Sequence, residues 1–298
     1  MTYFNDIKII AHGKWILTGE HSVLRGYGAI VYPIKSKILY LKYKNINSNT
    51  LHISCNNNNI KTNISKIFRK TLKYGLKLIE KKTNNFNGYI NIYNNIPMGM
   101  GMGSSAAISF VIAKLLTRVY NLQPELIYPF AKKIEMRFHK KSSGIDIIGV
   151  SSKIGTYFKN GTNKIINQTW KPKWFLSSCG KTSKTSFCIN KVNNLWKKNK
   201  KKAKRIDIEM KNSVTKAIFS LEKKDPKNSI YYLAQSIQQA HNCFKEWGLI
   251  NIHLKKHINL LLNLGAITAK PTGSGLGGYV ISLWKQSPPT TSIKLIPI

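Results

Sequence analysis

One stretch of the chain, residues 97–107, reads PMGMGMGSSAA and could bind an anion. Its three glycines would let an anion approach the backbone closely, and the first amides of a following helix lack partners within that helix. The preceding segment is strand-like, and a helix is predicted to begin near Ser104. Strand, glycine loop and helix in this order are typical of a phosphate cradle.

Two common nucleotide-binding patterns do not describe this loop. A Walker loop requires Gly-Lys-Ser/Thr where this chain has Gly103, Ser104 and Ser105, and the dinucleotide fingerprint requires GxGxxG. The alternative without a ligand is a tight turn packed against the methionines. We favour a different kind of nucleotide loop, because three alternating glycines and two serines exceed what such a turn needs.

Carboxylates are scarce, with 11 Asp and Glu in 298 residues, so each one is a candidate for chemistry. Glu135 and Asp146 flank the turn in EMRFHKKSSGID, and we predict that they converge. Such a pair suits phosphoryl transfer: one carboxylate and a serine hydroxyl hold Mg²⁺, while the other orients or deprotonates an attacking hydroxyl beside a lysine. A simple turn cap is the alternative for Asp146.

Two further segments carry candidate residues. AHGKWILTGEHSVLRG at 11–26 brings Lys14, Glu20 and His21 close together in sequence, although a lysine and a glutamate here could form an ordinary surface ion pair. KPTGSGLGGYVISLW at 270–284 matches the protein-kinase pattern GxGxxGxV, but too little chain follows for the other kinase motifs. We interpret it as a turn between two strands that lies against a ligand, with a β-bulge as the alternative.

Apolar periodicity predicts the elements that position these segments. Predicted strands cover 7–11, 28–43, 88–96, 145–150, 154–158 and 172–177, and a strand pair ends at Trp284. Predicted helices cover 63–82, a buried run from Ser104, a run from Pro124 to about 138, and then 206–223, 227–246 and 250–264. A loop is predicted at 56–59, and the basic run WKKNKKKAKR at 196–205 is predicted to be a solvated loop or helix start.

The net charge of +37 suggests a polyanionic partner at first sight. Arginine, which base reading and bidentate phosphate contacts favour, occurs only five times. The pervasive lysine and asparagine also fit AT-rich coding. We therefore expect no specific nucleic-acid partner.

Cysteine usage and hydropathy bound the location of the protein. The four cysteines form no CxxC pair, and no run reaches the roughly eighteen apolar residues of a membrane span. The N-terminus also lacks a signal-peptide pattern. We expect a soluble, cytoplasmic protein with no disulfide, no structural zinc and no membrane insertion, and a homodimer remains open.

Together, these segments resemble the GHMP family of small-molecule kinases, which is named for galactokinase, homoserine kinase, mevalonate kinase and phosphomevalonate kinase. HGKWILTGEHSVLRG, PMGMGMGSSAA and KPTGSGLGG match the three family motifs in order and spacing. EMRFHKKSSGID is most similar to the mevalonate kinase branch, with Glu135, His139, Ser143, Gly144 and Asp146 in register.

The resemblance implies an α+β fold with two domains. Residues 1–165 would form an N-terminal ATP-binding domain with a left-handed βαβ crossover, and residues 166–298 a ferredoxin-like domain. The boundary falls in a polar segment that contains Gly and Asn.

The resemblance also implies roles for individual residues and the cofactors ATP and Mg²⁺. Asp146 would accept or orient the substrate hydroxyl, and Lys14 would stabilise charge there. Ser105 and Glu135 would bind Mg²⁺. The substrate would contact Glu20, His21, Ser143 and Gly144. ATP would contact Pro97, Gly99, Gly101, Gly103, Ser104, Ser105, Gly273, Gly275 and Gly277.

The implied reaction is ATP-dependent phosphorylation of mevalonate or a similar hydroxy acid, giving 5-phosphomevalonate in isoprenoid biosynthesis. Lys140 and Lys141 replace a Gly-containing pair of the family, and their charge could favour a carboxylate such as mevalonate or a phosphorylated acceptor. The nearest alternative is another kinase of the family that acts on phosphomevalonate or a sugar. A catalytically silent polyanion- or RNA-binding protein on this fold is the alternative from a different functional class.

Overall fold

The computed structural model describes residues 6–46, 50–55, 61–82, 86–138 and 142–298. These residues divide into two compact units made of non-contiguous segments. The first unit contains the described parts of Met1–Lys14, Pro33–Met98 and Gly103–Ser151, and the second contains Trp15–Tyr32, Gly99–Met102 and Ser152–Ile298. The predicted domain boundary at residue 165 stays a prediction.

Strands with alternating burial build the sheet portion of the first unit. The strands are β1 (Ile7–Thr18) as far as Lys14, β2 (Ala29–Lys44) from Pro33 onwards, β3 (Leu51–Cys55) and β4 (Gly88–Asn94), and β1 pairs with β2. Every second side chain of β4 is buried, which is the period of a half-buried strand. β4 pairs antiparallel with the second half of β2 and parallel with β3. Helix α1 (Lys61–Leu78) connects β3 to β4 in a βαβ unit, whose predicted handedness stays a prediction.

Three further helices complete the first unit: α2 (Ser104–Val119), α3 (Ile127–Glu135) and α4 (Ile145–Ser151). The prediction of a buried helix from Ser104 is confirmed, because most of α2 is inaccessible to solvent. The predicted strand at 145–150 is wrong, since this segment is α4. A short apolar run such as IDIIGV does not by itself distinguish a strand from a buried helix. Here Gly144, with φ +90°, turns the chain, and its carbonyl accepts a bond from the Ile148 amide at 3.2 Å.

The second unit contains the remaining strands. β5 (Thr156–Lys159) pairs antiparallel with the first half of β2 and with β6 (Thr162–Ile165). Four strands form an antiparallel sheet in the order β10-β7-β9-β8, namely β7 (Lys173–Ser178), β8 (Thr268–Thr272), β9 (Tyr279–Trp284) and β10 (Ile296–Pro297). The predicted strand pair ending at Trp284 is confirmed as β8 and β9, and the glycine segment is the turn between them.

Helices α5 (Thr185–Lys198), α6 (Lys200–Glu222), α7 (Pro226–Glu246) and α8 (Ile252–Asn263) also belong to this unit. Three helices begin with an N-cap residue whose side chain accepts a hydrogen bond from a backbone amide of the first turn, namely Asn199, Asp225 and Asn251. The basic run at 196–205 therefore covers the end of α5 and the start of α6. The combination of helices and sheets is α+β, as predicted, and no described helix has both the length and the apolar character needed to cross a membrane.

A buried ion pair connects the GEHSVLRG segment to α6. Arg25 ends a short 3₁₀ helix, Ser22–Arg25, and its Nη2 donates to Oδ1 of Asp207 at 2.7 Å. Its Nε donates to the other carboxylate oxygen, so the contact is bidentate. Asp207 is fully buried within the second unit.

We predict that Asp207→Ala lowers the free energy of unfolding by about 3 kcal/mol, because it leaves the Arg25 guanidinium partly buried without its counter-charge. Urea denaturation measures the change. Lys204→Ala, which truncates an exposed side chain on the same helix, should change stability by no more than about 0.5 kcal/mol. Equal effects of the two substitutions would contradict the structural role of the pair.

Candidate active site

The two residues predicted to be catalytic form an ion pair in the first unit. Lys14 lies in β1, and its Nζ is 2.8 Å from Oδ1 of Asp146, in the first turn of α4. The Lys14 side chain is 4% exposed and that of Asp146 is 31% exposed. The ammonium is therefore withdrawn from water, whereas the carboxylate reaches the surface where a substrate could meet it.

The N-terminus of α2 packs beside this pair. Gly103 precedes the helix with φ +83°, and a Cβ there would lie 2.7 Å from Cγ of Lys14 and 3.1 Å from Cγ1 of Val150. Only glycine fits both the backbone angle and the space. The Oγ of the next residue, Ser104, is buried and has no hydrogen-bond partner among the described residues. A helix start with free amides and an unpaired hydroxyl suits an anionic ligand.

Glu135, the predicted partner of Asp146, is the last residue of α3 and is buried. Its Oε2 accepts a hydrogen bond from the Ser142 hydroxyl. Burial, followed by the negative charge of Asp146, raises the pKa of Glu135 to about 8. The predicted convergence of the two scarce acids is therefore confirmed by their electrostatic interaction.

The turn from Ser142 to Gly144 presents Asp146. Ser142 Oγ accepts from the Gly144 amide at 3.1 Å, and Ser143 Oγ accepts from the Ile145 amide at 3.3 Å. A Cβ on Gly144 would lie 2.1 Å from the Tyr128 hydroxyl, so the turn packs closely on α3. These contacts explain the local sequence, and the substrate contacts predicted for Ser143 and Gly144 stay predictions. His139, Lys140 and Lys141 lie outside the described residues.

The donor set of the first unit fits a magnesium ion. Mg²⁺ prefers one or two carboxylates and hydroxyl or water oxygens. Two interacting carboxylates, one with a raised pKa, and the orphaned Ser104 hydroxyl are groups that a divalent cation would stabilise. Within the described ranges no group of three or more His, Cys, Asp or Glu is placed to hold a metal ion.

In the second unit, the two glycine segments lie against each other. A Cβ on Gly101 would be 3.9 Å from the Thr272 carbonyl oxygen, and one on Gly278 would be 3.2 Å from the Met100 carbonyl oxygen. Gly273 likewise faces the backbone of Gly101. The structure thus brings together residues 99–102 and the turn after β8, which the sequence placed far apart.

Glu20 and His21 support the second glycine turn. Glu20 Oε1 lies 2.6 Å from Nζ of Lys270, and both side chains are buried. The His21 ring is bonded through Nε2 to the Ser274 carbonyl oxygen at 2.9 Å, and burial lowers the pKa of His21 to about 4. Their predicted contacts with the substrate stay predictions.

Lys270 is a residue that sequence reasoning missed. It lies in β8, where every residue is buried, and burial lowers its pKa. A lysine in an otherwise buried strand needs a carboxylate partner. The scarcity of acids was a usable signal, because Glu20 is one of the few candidates in the chain.

Comparisons with known proteins match this chain to one family. Residues 66–152 match the family described as GHMP kinases N terminal domain. Over these residues the chain is similar to GHMP kinases. A mevalonate kinase from Pyrococcus horikoshii is 27% identical over 311 residues, which cover 96% of this chain and 91% of that protein. The resemblance predicted from the motifs is confirmed.

Two solved structures share the fold of this chain. The Leishmania major mevalonate kinase in complex with R-mevalonate aligns with a TM-score of 0.79 and 22% identity, covering 94% of this chain and 88% of that chain. The Methanococcus jannaschii mevalonate kinase aligns with a TM-score of 0.77 and 20% identity, covering 98% of both chains. The predicted GHMP fold class is confirmed.

We predict that Glu135→Gln stabilises the ligand-free protein at pH 8 but not near pH 5. The ordinary pKa is 4.5 and the folded pKa is about 8, so the folded protein holds a proton that the unfolded chain has released between these pH values. Wild-type stability therefore falls as pH rises through this window, whereas glutamine cannot ionise. We expect a gain on the order of 2 kcal/mol at pH 8.

Urea denaturation between pH 5 and pH 8 measures this gain. Glu125→Gln makes the same chemical change on an exposed side chain and provides the reference. A gain for Glu135→Gln that is constant across this range would contradict the electrostatic account of the carboxylate pair.

Proposed function

We propose that this GHMP kinase transfers the γ-phosphoryl group of ATP to the primary hydroxyl of mevalonate. The observation that carries the proposal is the 2.8 Å ion pair of Lys14 and Asp146 beside the N-terminus of α2. It places a half-exposed carboxylate, a buried cation and a helix start around one point. Phosphoryl transfer depends mainly on positioning and charge stabilisation, and these groups supply both.

Asp146 orients the acceptor hydroxyl in this proposal. The hydroxyl oxygen attacks the γ-phosphorus, the bond from that phosphorus to the β–γ bridging oxygen breaks, and ADP leaves. The hydroxyl proton passes to the Asp146 carboxylate. Lys14 pairs with this carboxylate and holds it in place, and its ammonium stabilises negative charge that develops on the transferring group.

The nucleotide contacts remain those proposed from the sequence, with support from the backbone. Gly103 brings the start of α2 close to Lys14, and the next residue, Ser104, adds a buried hydroxyl that has no hydrogen-bond partner among the described residues. Gly101 and Gly273 leave backbone without side chains where the two glycine segments meet, and a Cβ on Gly99 would point into open space. Such bare backbone binds phosphates through its N–H groups.

A magnesium ion would be held by Glu135 together with a serine hydroxyl at the start of α2. When bound, Mg²⁺ neutralises phosphate charge. The sequence favoured Ser105 as the hydroxyl ligand, whereas the unpartnered oxygen belongs to Ser104. Both serines remain candidates in this proposal. Glu135, buried beside Asp146, gains most from a neighbouring cation because its own ionisation is otherwise opposed.

Mevalonate is favoured as acceptor by the motif around Asp146 and by the mevalonate kinases among the relatives. An ATP-coupled assay with mevalonate, phosphomevalonate, galactose and homoserine distinguishes the acceptors. Turnover with mevalonate alone supports the proposal, and turnover with another acceptor alone reassigns the substrate within the family. Salt-sensitive RNA binding with no turnover on any acceptor would favour the polyanion-binding alternative.

We predict that Asp146→Asn lowers kcat by about 10²–10⁴-fold, because the amide neither accepts the proton nor neutralises Lys14. The affinity for an ATP analogue, measured by calorimetry, should change by less than about threefold, since the carboxylate contacts the acceptor. Thermal unfolding verifies that the variant is folded. Asp225→Asn, at the N-cap of α7 where asparagine caps a helix about as well as aspartate, is the matched control and should retain full activity.

A further inference from the structure

A cleft of about 430 Å³ opens in the second unit next to the GEHSVLRG segment. One wall is the turn of residues 25–28, a second is strand β5, and the third is helix α6. None of its lining residues belongs to the site proposed for phosphoryl transfer. We call it the α6 cleft.

Helix α6 contributes one continuous stripe to this cleft. Lys211, Val214, Thr215, Ile218 and Phe219 line it, at helical positions i, i+3, i+4, i+7 and i+8. These positions share one face of a helix. The stripe is apolar towards its C-terminal end, where the Phe219 ring is 53% exposed, and cationic at its N-terminal end. An exposed aromatic ring inside a concave surface is suited to an apolar ligand group.

The opposite wall is shaped by the strand. Tyr157 and Lys159 are two positions apart in β5, so their side chains lie on the same face of the strand. The Tyr157 ring lies directly on Gly28, where a Cβ would come within 2.3 Å of the ring. Because Gly28 has no side chain, the Tyr157 ring has room to lie at the cleft.

The charge of the cleft has one sign. Among the described residues, its lining contains Arg25, Lys159 and Lys211 and no acidic residue. Arg25 is neutralised by Asp207 behind it, whereas both lysines are exposed. A ligand that fits this surface carries negative charge at one end and apolar surface at the other.

We propose that the α6 cleft binds a small amphiphilic anion. Its phosphate or carboxylate group would contact Lys159 and Lys211, and its hydrocarbon part would cover Tyr157, Ile218 and Phe219. Charge-assisted contacts fix the head, and burial of the tail adds affinity with each methylene. The proposal does not depend on the phosphoryl-transfer function.

Calorimetric titration of the nucleotide-free protein with n-octyl phosphate, below its micelle concentration, tests this site. We expect one molecule bound per chain, with affinity at least about tenfold higher than for inorganic phosphate because the tail is buried. Octyl glucoside, which has the tail without the charge, should bind at least about fivefold more weakly than octyl phosphate. Equal affinities for octyl phosphate and octyl glucoside would overturn the proposal.

Charge-matched variants locate the site. Lys159→Gln with Lys211→Gln should weaken octyl phosphate binding by at least about fivefold, whereas Lys171→Gln with Lys204→Gln should change it by less than about twofold. All four lysines are exposed, so folding is little affected. If both double variants lose the same amount of affinity for octyl phosphate, general surface charge binds the probe and the proposal is overturned. Phe219→Ser should remove most of the advantage of octyl over inorganic phosphate.

Sedimentation with phosphatidylglycerol vesicles distinguishes the two sources of such an anion. If the protein binds vesicles and the double substitution of Lys159 and Lys211 by glutamine abolishes this binding, the result supports the cleft with a lipid as its ligand. Octyl phosphate binding without vesicle binding supports the cleft with a free metabolite as its ligand. Octyl phosphate should bind Asp146→Asn as tightly as wild type, so failure of this proposal is separable from failure of the kinase proposal.

Discussion

The buried ammonium of Lys14 requires a carboxylate beside it, and the first unit is arranged to supply one. A cation withdrawn from water is costly unless it is paired. Asp146 meets this requirement at 2.8 Å, and the turn at Gly144 and the short helix α4 hold it there. Gly103 lets the start of α2 approach the same lysine. The site is therefore organised around one electrostatic constraint.

The composition of the chain makes this constraint unusually strong. With 48 basic and 11 acidic residues, few carboxylates are available as partners. Three of them neutralise cations at least partly withdrawn from solvent, in the pairs Lys14 with Asp146, Lys270 with Glu20, and Arg25 with Asp207. Glu135 differs because it is buried beside another acid, and its raised pKa makes it the carboxylate that most favours an added cation. The three paired carboxylates therefore neutralise cations of the protein, whereas Glu135, which lies beside another carboxylate, is suited to an added cation.

Local sequence patterns predicted much of this arrangement, and distant pairings were the part they could not reach. The glycine loop, the helix from Ser104 and the convergence of Glu135 with Asp146 follow from spacing within one segment. The Lys270–Glu20 pair joins residues 250 positions apart, so no periodicity reveals it. The helix at Ile145–Ser151 was predicted as a strand because a short apolar run lacks a diagnostic period. The segment forms a helix because Gly144, with a positive φ, turns the chain and its carbonyl accepts a hydrogen bond from the Ile148 amide.

In the proposed reaction, Lys14 and Asp146 act as a unit in phosphoryl transfer. A double-mutant cycle of Lys14→Met and Asp146→Asn, read as kcat/KM with mevalonate and Mg-ATP, tests it directly. We expect the double variant to be within about threefold of the slower single variant, because removing either partner already disables the pair. Losses that multiply, so that the double variant is slowed by the product of the two single effects, would contradict it.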